Sequence, residues 1–226
     1  MVLRRLIVHL SVVAALAMTA CGGGGGSSYS PAPQQNLQSA PTPSQPMDVS
    51  STTLTATDSS GNTWTATYSS TAGGMAMFNG QNATTSAIAL TVSENGAVVA
   101  SEDSTAYYLV NPYSPLGLSG TTSGTAWTAI ISGYTPLPST LTVGASGSLE
   151  SATYYNGMGT AIGSLTETYT VTANSPTTLF LNVDAVGTIN GVQETETLTY
   201  SVTSDGTGIA LVKAQITVNG TTLTFT

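Results

Sequence analysis

From Asp48 to Thr226 the chain is built on a period of two: Val, Leu, Ile, Ala or Tyr recurs at alternate positions, with Thr or Ser between them. The pattern is broken about every 8 to 12 residues by Gly, Asn, Asp, Ser or Pro, as turns between short strands require. Successive side chains of a strand point to opposite faces, so this spacing makes half-buried strands. A helix would instead repeat its apolar residues at i, i+3, i+4 and i+7. The expected fold is all-β, an antiparallel meander closing as a barrel or packing as a sandwich, from ten or more strands. Beyond the C-terminal ones discussed next, they are predicted at Thr52 to Thr57, Thr63 to Ser69, Ser86 to Val92, Thr105 to Val110, Thr125 to Ser132, Ser148 to Tyr155, Ser164 to Ala173 and Thr177 to Val186. Most of the 40 Thr thereby fall on polar strand faces.

The last three strands can be registered from the residues alone. Asn219-Gly220 is a strong two-residue hairpin signal, because both turn positions need positive φ. Pairing Val218 with Thr221 sets Ile216 opposite Leu223 and Ala214 opposite Phe225, leaving Thr217 and Thr222 on the other face. Folding Gln193 to Thr203 back through Ser204 to Gly208 sets Val202 by Ala210, Tyr200 by Val212 and Leu198 by Ala214. Lys213 then lies beside Thr199 on the polar face. The two tryptophans occur in similar segments, Ser60 to Ser69 and Ser123 to Ser132, as two related β modules would produce. Asn111 to Gly120 between them reads as an irregular loop, either a module boundary near 111–124 or a binding loop.

The N-terminal fifth is different. Arg4 and Arg5, an apolar run from Leu6 to Ala17 and small residues before Cys21 are the three regions of an export signal, and the run is shorter than the ~20 residues that span a bilayer. Met18-Thr19-Ala20-Cys21 resembles the lipobox of Gram-negative bacterial lipoproteins. That resemblance implies removal of residues 1–20, lipid attachment at Cys21 and, with Gly22 rather than Asp next, the outer membrane. Residues 21–47, with five consecutive Gly followed by Pro, Ser and Gln, read as a flexible tether to a β-rich body at 48–226.

Charge and residue type narrow the chemistry. After the signal, 11 carboxylates face one cation, Lys213, so a nucleic-acid binder, which needs clustered Lys and Arg, is excluded. The only His is His9 and the only Cys is Cys21, so no cofactor or metal site of ordinary His or Cys composition is expected in the body. What remains is carboxylate. Glu194 and Glu196 share the strand face of Leu198, Tyr200 and Val202, and Glu167 shares that of Leu165, Tyr169 and Val171. A buried, unpaired carboxylate is costly, so the expectation is that these three sit at a wet rim, with cation binding or the paired-carboxylate chemistry of glycan hydrolysis as alternatives. A second candidate surface is aromatic: Tyr107, Tyr108 and Tyr113 flank the Pro-containing segment, and Trp127 and Tyr134 follow it. Adjacent Tyr107 and Tyr108 should point to opposite faces. The functional expectation is a lipid-anchored outer-membrane lipoprotein with a non-enzymatic structural or binding role and a protein or glycan partner. The alternative is a glycan-acting enzyme or carbohydrate-binding module.

Overall fold

The computed structural model describes residues 38–41, 51–110, 112–122, 124–218 and 221–226. The elements in chain order are β1 (Ser39–Pro41), β2 (Ser51–Thr57), β3 (Thr63–Phe78), β4 (Gln81–Glu94), β5 (Ala97–Val110), β6 (Tyr113–Thr122), β7 (Thr125–Ser132), β8 (Thr140–Thr142), β9 (Ser146–Asn156), β10 (Ala161–Ser175), β11 (Thr178–Ile189), β12 (Val192–Thr203), β13 (Ile209–Val218) and β14 (Thr221–Phe225). Twelve of them form one antiparallel meander that runs from β2 to β14 and omits only β8. Its edges meet: Thr55 and Thr226 exchange backbone hydrogen bonds of 3.0 and 2.9 Å, so the sheet curls into a barrel with a short seam.

The period of two sorts the side chains. Leu54, Tyr68, Leu90, Val92, Leu118, Leu181, Val183 and Val202 point inward and are buried in a single core. Hydroxyl pairs such as Thr53 with Thr67 (3.3 Å) and Thr217 with Thr222 (2.7 Å) line the outside. A barrel of about eight strands is just filled by its side chains, and a round one of twelve strands would hold a lumen. Among the described residues the interior is filled, with a void of about 20 Å³ between Tyr68 and Leu198, so the barrel is flattened and its opposite walls touch through side chains.

The meander gives the barrel two ends. At the proximal end β2 begins, and the long β7–β9 connection carries β8, which pairs with β1. Leu141 and Ala40 are buried in this small sheet, and Gly144 and Ala145 bond to the backbone of Val171 on β10. Part of the segment read as tether is therefore docked on the body. The distal end holds the Asn95-Gly96 and Asn190-Gly191 turns, and the proximal end the Asn79-Gly80 turn, each at positive φ.

The predicted hairpin register holds at Val218/Thr221, Ile216/Leu223 and Ala214/Phe225; its Asn219-Gly220 turn lies outside the described residues. The β12–β13 register holds at Leu198/Ala214 and Thr199/Lys213. Beyond these pairs Tyr200 meets Leu211 and Val202 meets Ile209, one place off the expected partners, because a bulge at Val212 takes up one residue. The expected irregular loop at Asn111 to Gly120 is corrected: Tyr113–Thr122 is strand β6, paired with β5 along its length and with β7 from Gly117 onward. Asn111 and Ser123 themselves lie outside the described residues.

Candidate functional site: a carboxylate layer inside the barrel

Alternation along β10 and β12 carries Glu167, Glu194 and Glu196 inward, as expected. The wet rim is not where they end: Glu167 is 1 % exposed, Glu196 4 % and Glu194 6 %. The apolar face on which they lie continues past them, with Leu165 and Ile189 buried farther toward the distal end. Two further glutamates, Glu102 on β5 and Glu150 on β9, are equally buried. Neither was singled out by the sequence. Glu102 lies among the small residues Ala100, Ser104 and Ala106, whose alternation is weakly apolar. Glu150 lies on a bulge: Glu167 pairs with Glu150 but Thr168 pairs with Ser148, so Leu149 and Glu150 both turn inward and the period of two is broken.

The register places these groups in one layer. Glu150 and Glu167 are direct cross-strand partners, Glu167 pairs with Ala185, and Ala185 pairs with Glu196. Partners of this kind have Cβ atoms about 5 Å apart. Glu194 lies two residues from Glu196 on the same face. Glu102 comes from the opposite wall, six strands from β12 in the meander, and its charge is still felt at Glu196.

Electrostatics follow from burial. Among the described residues Lys213 is the one cation, and it pairs with Thr199 on the outer face. Removal from water pushes Glu150 and Glu194 up from 4.5 to about 8. Glu167 is raised well above its ordinary value by burial, then by Glu150 and Glu196; Glu196 is raised by burial, then by Glu194 and Glu102. Tyr154, fully enclosed, is raised by burial and then by Glu167, Glu102, Glu150 and Glu194. Glu150, Glu167, Glu194 and Glu196 are therefore held as neutral acids at pH 7. Glu102 also accepts a 2.8 Å hydrogen bond from the Thr122 hydroxyl, which accepts one of 3.0 Å from the Trp127 indole. Both carboxyl oxygens of Glu150 and of Glu167 lack hydrogen-bond partners among the described residues. No group of three His, Cys, Asp or Glu among those residues could hold a metal ion.

The candidate aromatic surface is divided by the fold. Tyr107 and Tyr108 do face opposite ways. Tyr107 lies outside, stacked on Phe78 at 4.4 Å with its hydroxyl 3.0 Å from that of Ser119. Tyr108 meets Tyr113 at 5.7 Å, and Tyr113 meets Tyr134 at 6.0 Å, at the proximal end. Trp127 is not part of this surface: it is buried inside the barrel, 6.2 Å from Tyr154. A separate shallow groove of about 680 Å³ crosses the outer face of β3 to β7, lined by Ser69, Thr71, Asp103, Thr105, Thr121 and Thr128 among others. Cys21 lies outside the described residues. Comparison with known proteins finds no matching family model, no similar curated protein and no similar solved structure.

Proposed function

We propose that the protein is a lipid-anchored outer-membrane lipoprotein whose body has a non-enzymatic structural or binding role, held to the membrane by acylation at Cys21. One observation carries the non-enzymatic part. Glu150, Glu167, Glu194 and Glu196, the clustered carboxyls that paired-carboxylate chemistry would draw on, are neutral and enclosed within a filled barrel, Glu167 being 1 % exposed. Glycan hydrolysis needs two carboxyls about 5 to 10 Å apart flanking a bound sugar, one of them ionised. A face of Leu, Val and Tyr turned inward and a face of Thr and Ser turned outward is also the reverse of a membrane-spanning barrel, which presents its apolar face to lipid. The body thus acts through its outer surface. The test is fractionation of the wild type and of Cys21→Ser: the wild type should stay with outer membranes after carbonate washing, and the variant should be released. Retention of the variant would overturn the anchor.

The hydroxyl-lined outer groove supports a second reading, a carbohydrate-binding module. Its Ser and Thr hydroxyls and the Asp103 carboxylate can exchange hydrogen bonds with sugar hydroxyls. Binding of cell-wall glycan fragments by the wild type and its loss in Asp103→Ala and Thr121→Val would support this reading; equal binding by all three would defeat it.

A further inference from the structure

The sheet overhangs its own barrel at the proximal end. Among the described residues β3 has its last β2 partner at Ser69 and runs on to Phe78, and β6 has its first β7 partner at Gly117. Residues 70–78, 81–88, 105–110 and 113–116 form a four-stranded flap that extends the sheet at this end, with Ile88 and Ala106 buried at its base. On its inner face Met75, Thr84 and Tyr108 lie in line across three strands, and the Thr84 hydroxyl points to the Met75 sulfur at 3.6 Å. Met77 and Val110 are the next inward positions on β3 and β5, two strand spacings or about 10 Å apart. Met75, Met77 and Val110 are 70, 63 and 64 % exposed. Tyr108, Tyr113 and Tyr134 border them toward the barrel. On the outer face the Phe78–Tyr107 stack braces the flap.

We infer that this flap is a lipid-contact surface, which seats the proximal end of the barrel on the membrane to which Cys21 is attached. The inference rests on the anchor reading above and adds an orientation to it. Two observations select lipid as the occupant. The chain leading to Cys21 arrives at this end: Ser39–Pro41 is docked there on β8, so only the residues before it separate the barrel from the acylated Cys. The flap region is also free of charge: residues 70–93 and 104–149 hold no Asp, Glu, Lys, Arg or His, in a body whose formal charge is otherwise strongly negative. A carboxylate here would be repelled by anionic headgroups, whereas the exposed Met75, Met77 and Val110 can enter the acyl boundary. The one described carboxylate at this end outside those runs is Asp205, in the β12–β13 turn on the opposite side of the barrel.

The test uses the mature acylated protein in vesicles of phosphatidylethanolamine and phosphatidylglycerol. Since Cys21 is the only cysteine, Met77→Cys and Met158→Cys each introduce one labelling site for an environment-sensitive dye, Met158 being an exposed residue at the distal end. The expected result is a blue shift at position 77, with loss of most of its intensity to spin-labelled lipid, and neither at position 158. A water-like signal at 77 on vesicle-bound protein, or equal quenching at both sites, would overturn the lipid contact while leaving the anchor intact. A blue shift at 77 that grows with protein concentration in the absence of lipid would overturn it in favour of a second copy of the chain. Labelling of Cys21 itself in protein recovered from cells would overturn the anchor, and the orientation with it.

Discussion

Replacing Glu150 by Gln should make the protein more stable at neutral pH and less sensitive to pH. Glu150 is 3 % exposed, directly opposite Glu167, and its carboxyl is raised from 4.5 to about 8 by burial. Between those values the native state keeps a proton that the unfolded state has released. Stability is therefore greatest below pH 4.5, falls as the pH rises to about 8, and then levels. With 1.36 kcal/mol per pH unit, the side chain's ionisation lowers stability at pH 7 by about 3 kcal/mol. Glutamine has the same shape and buries an amide at every pH, so the difference between pH 4.5 and pH 8 isolates the proton. Urea unfolding followed by the fluorescence of Trp64 and Trp127 should show the wild-type midpoint falling across this window and a flatter profile for Glu150→Gln. The residual slope of the variant comes from Glu167, Glu194 and Glu196, all raised in the same direction. A wild-type midpoint that is constant or rises from pH 4.5 to 8 would refute the reasoning. So would a variant that runs parallel to the wild type.

Other substitutions test the barrel itself. Leu181→Ala empties a fully buried position paired with Val171 and Tyr200, and should cost about 2 to 5 kcal/mol in denaturant unfolding. Gly117→Ala places a Cβ against the Ala129 carbonyl oxygen and 2.6 Å from Phe78 Cζ, at a φ of 154°, so it should lower the melting temperature and weaken the near-ultraviolet signal of the Phe78–Tyr107 stack. Deleting Thr221 to Thr226 removes β14 and the Thr55–Thr226 seam, leaving β2 and β13 as open edges; size-exclusion chromatography should show larger species than the full chain gives.

The parts of this fold that could be read from the sequence are those in which one physical signal dominates. Along Gln193 to Phe225 strict alternation and one tight turn fix the pairing, and the register failed only beyond Val212, where a bulge leaves no mark in the composition. Strand β6 escaped because Pro115, Gly117 and Gly120 resemble a loop. In place, Gly117 and Gly120 are strand residues made small by neighbours: a Cβ at Gly120 would lie 2.8 Å from both Ser104 Cβ and Trp127 Cζ2. The same limit applies to the carboxylates. Alternation alone turned Glu167, Glu194 and Glu196 inward, but how deep they lie depends on how far neighbouring strands extend. That Glu102 joins them from the far wall depends on the closure of the barrel, a contact between residues distant in sequence. The aromatic residues were divided for a related reason: proximity in sequence groups Tyr107, Tyr108, Tyr113 and Trp127, while strand parity and direction separate them.

The central claim is that Glu150, Glu167, Glu194 and Glu196 are enclosed as neutral acids, which leaves the outer surface to carry the function. Carbon-13 NMR of the side-chain carboxyls in protein labelled at glutamate, recorded from pH 4 to 9, tests it directly. The account predicts that the resonances of Glu150, Glu167, Glu194 and Glu196 remain at the protonated position at pH 7, with Glu150 and Glu194 titrating near pH 8. Titration of all four between pH 4 and 5 would show them open to water and ionised, and would contradict it.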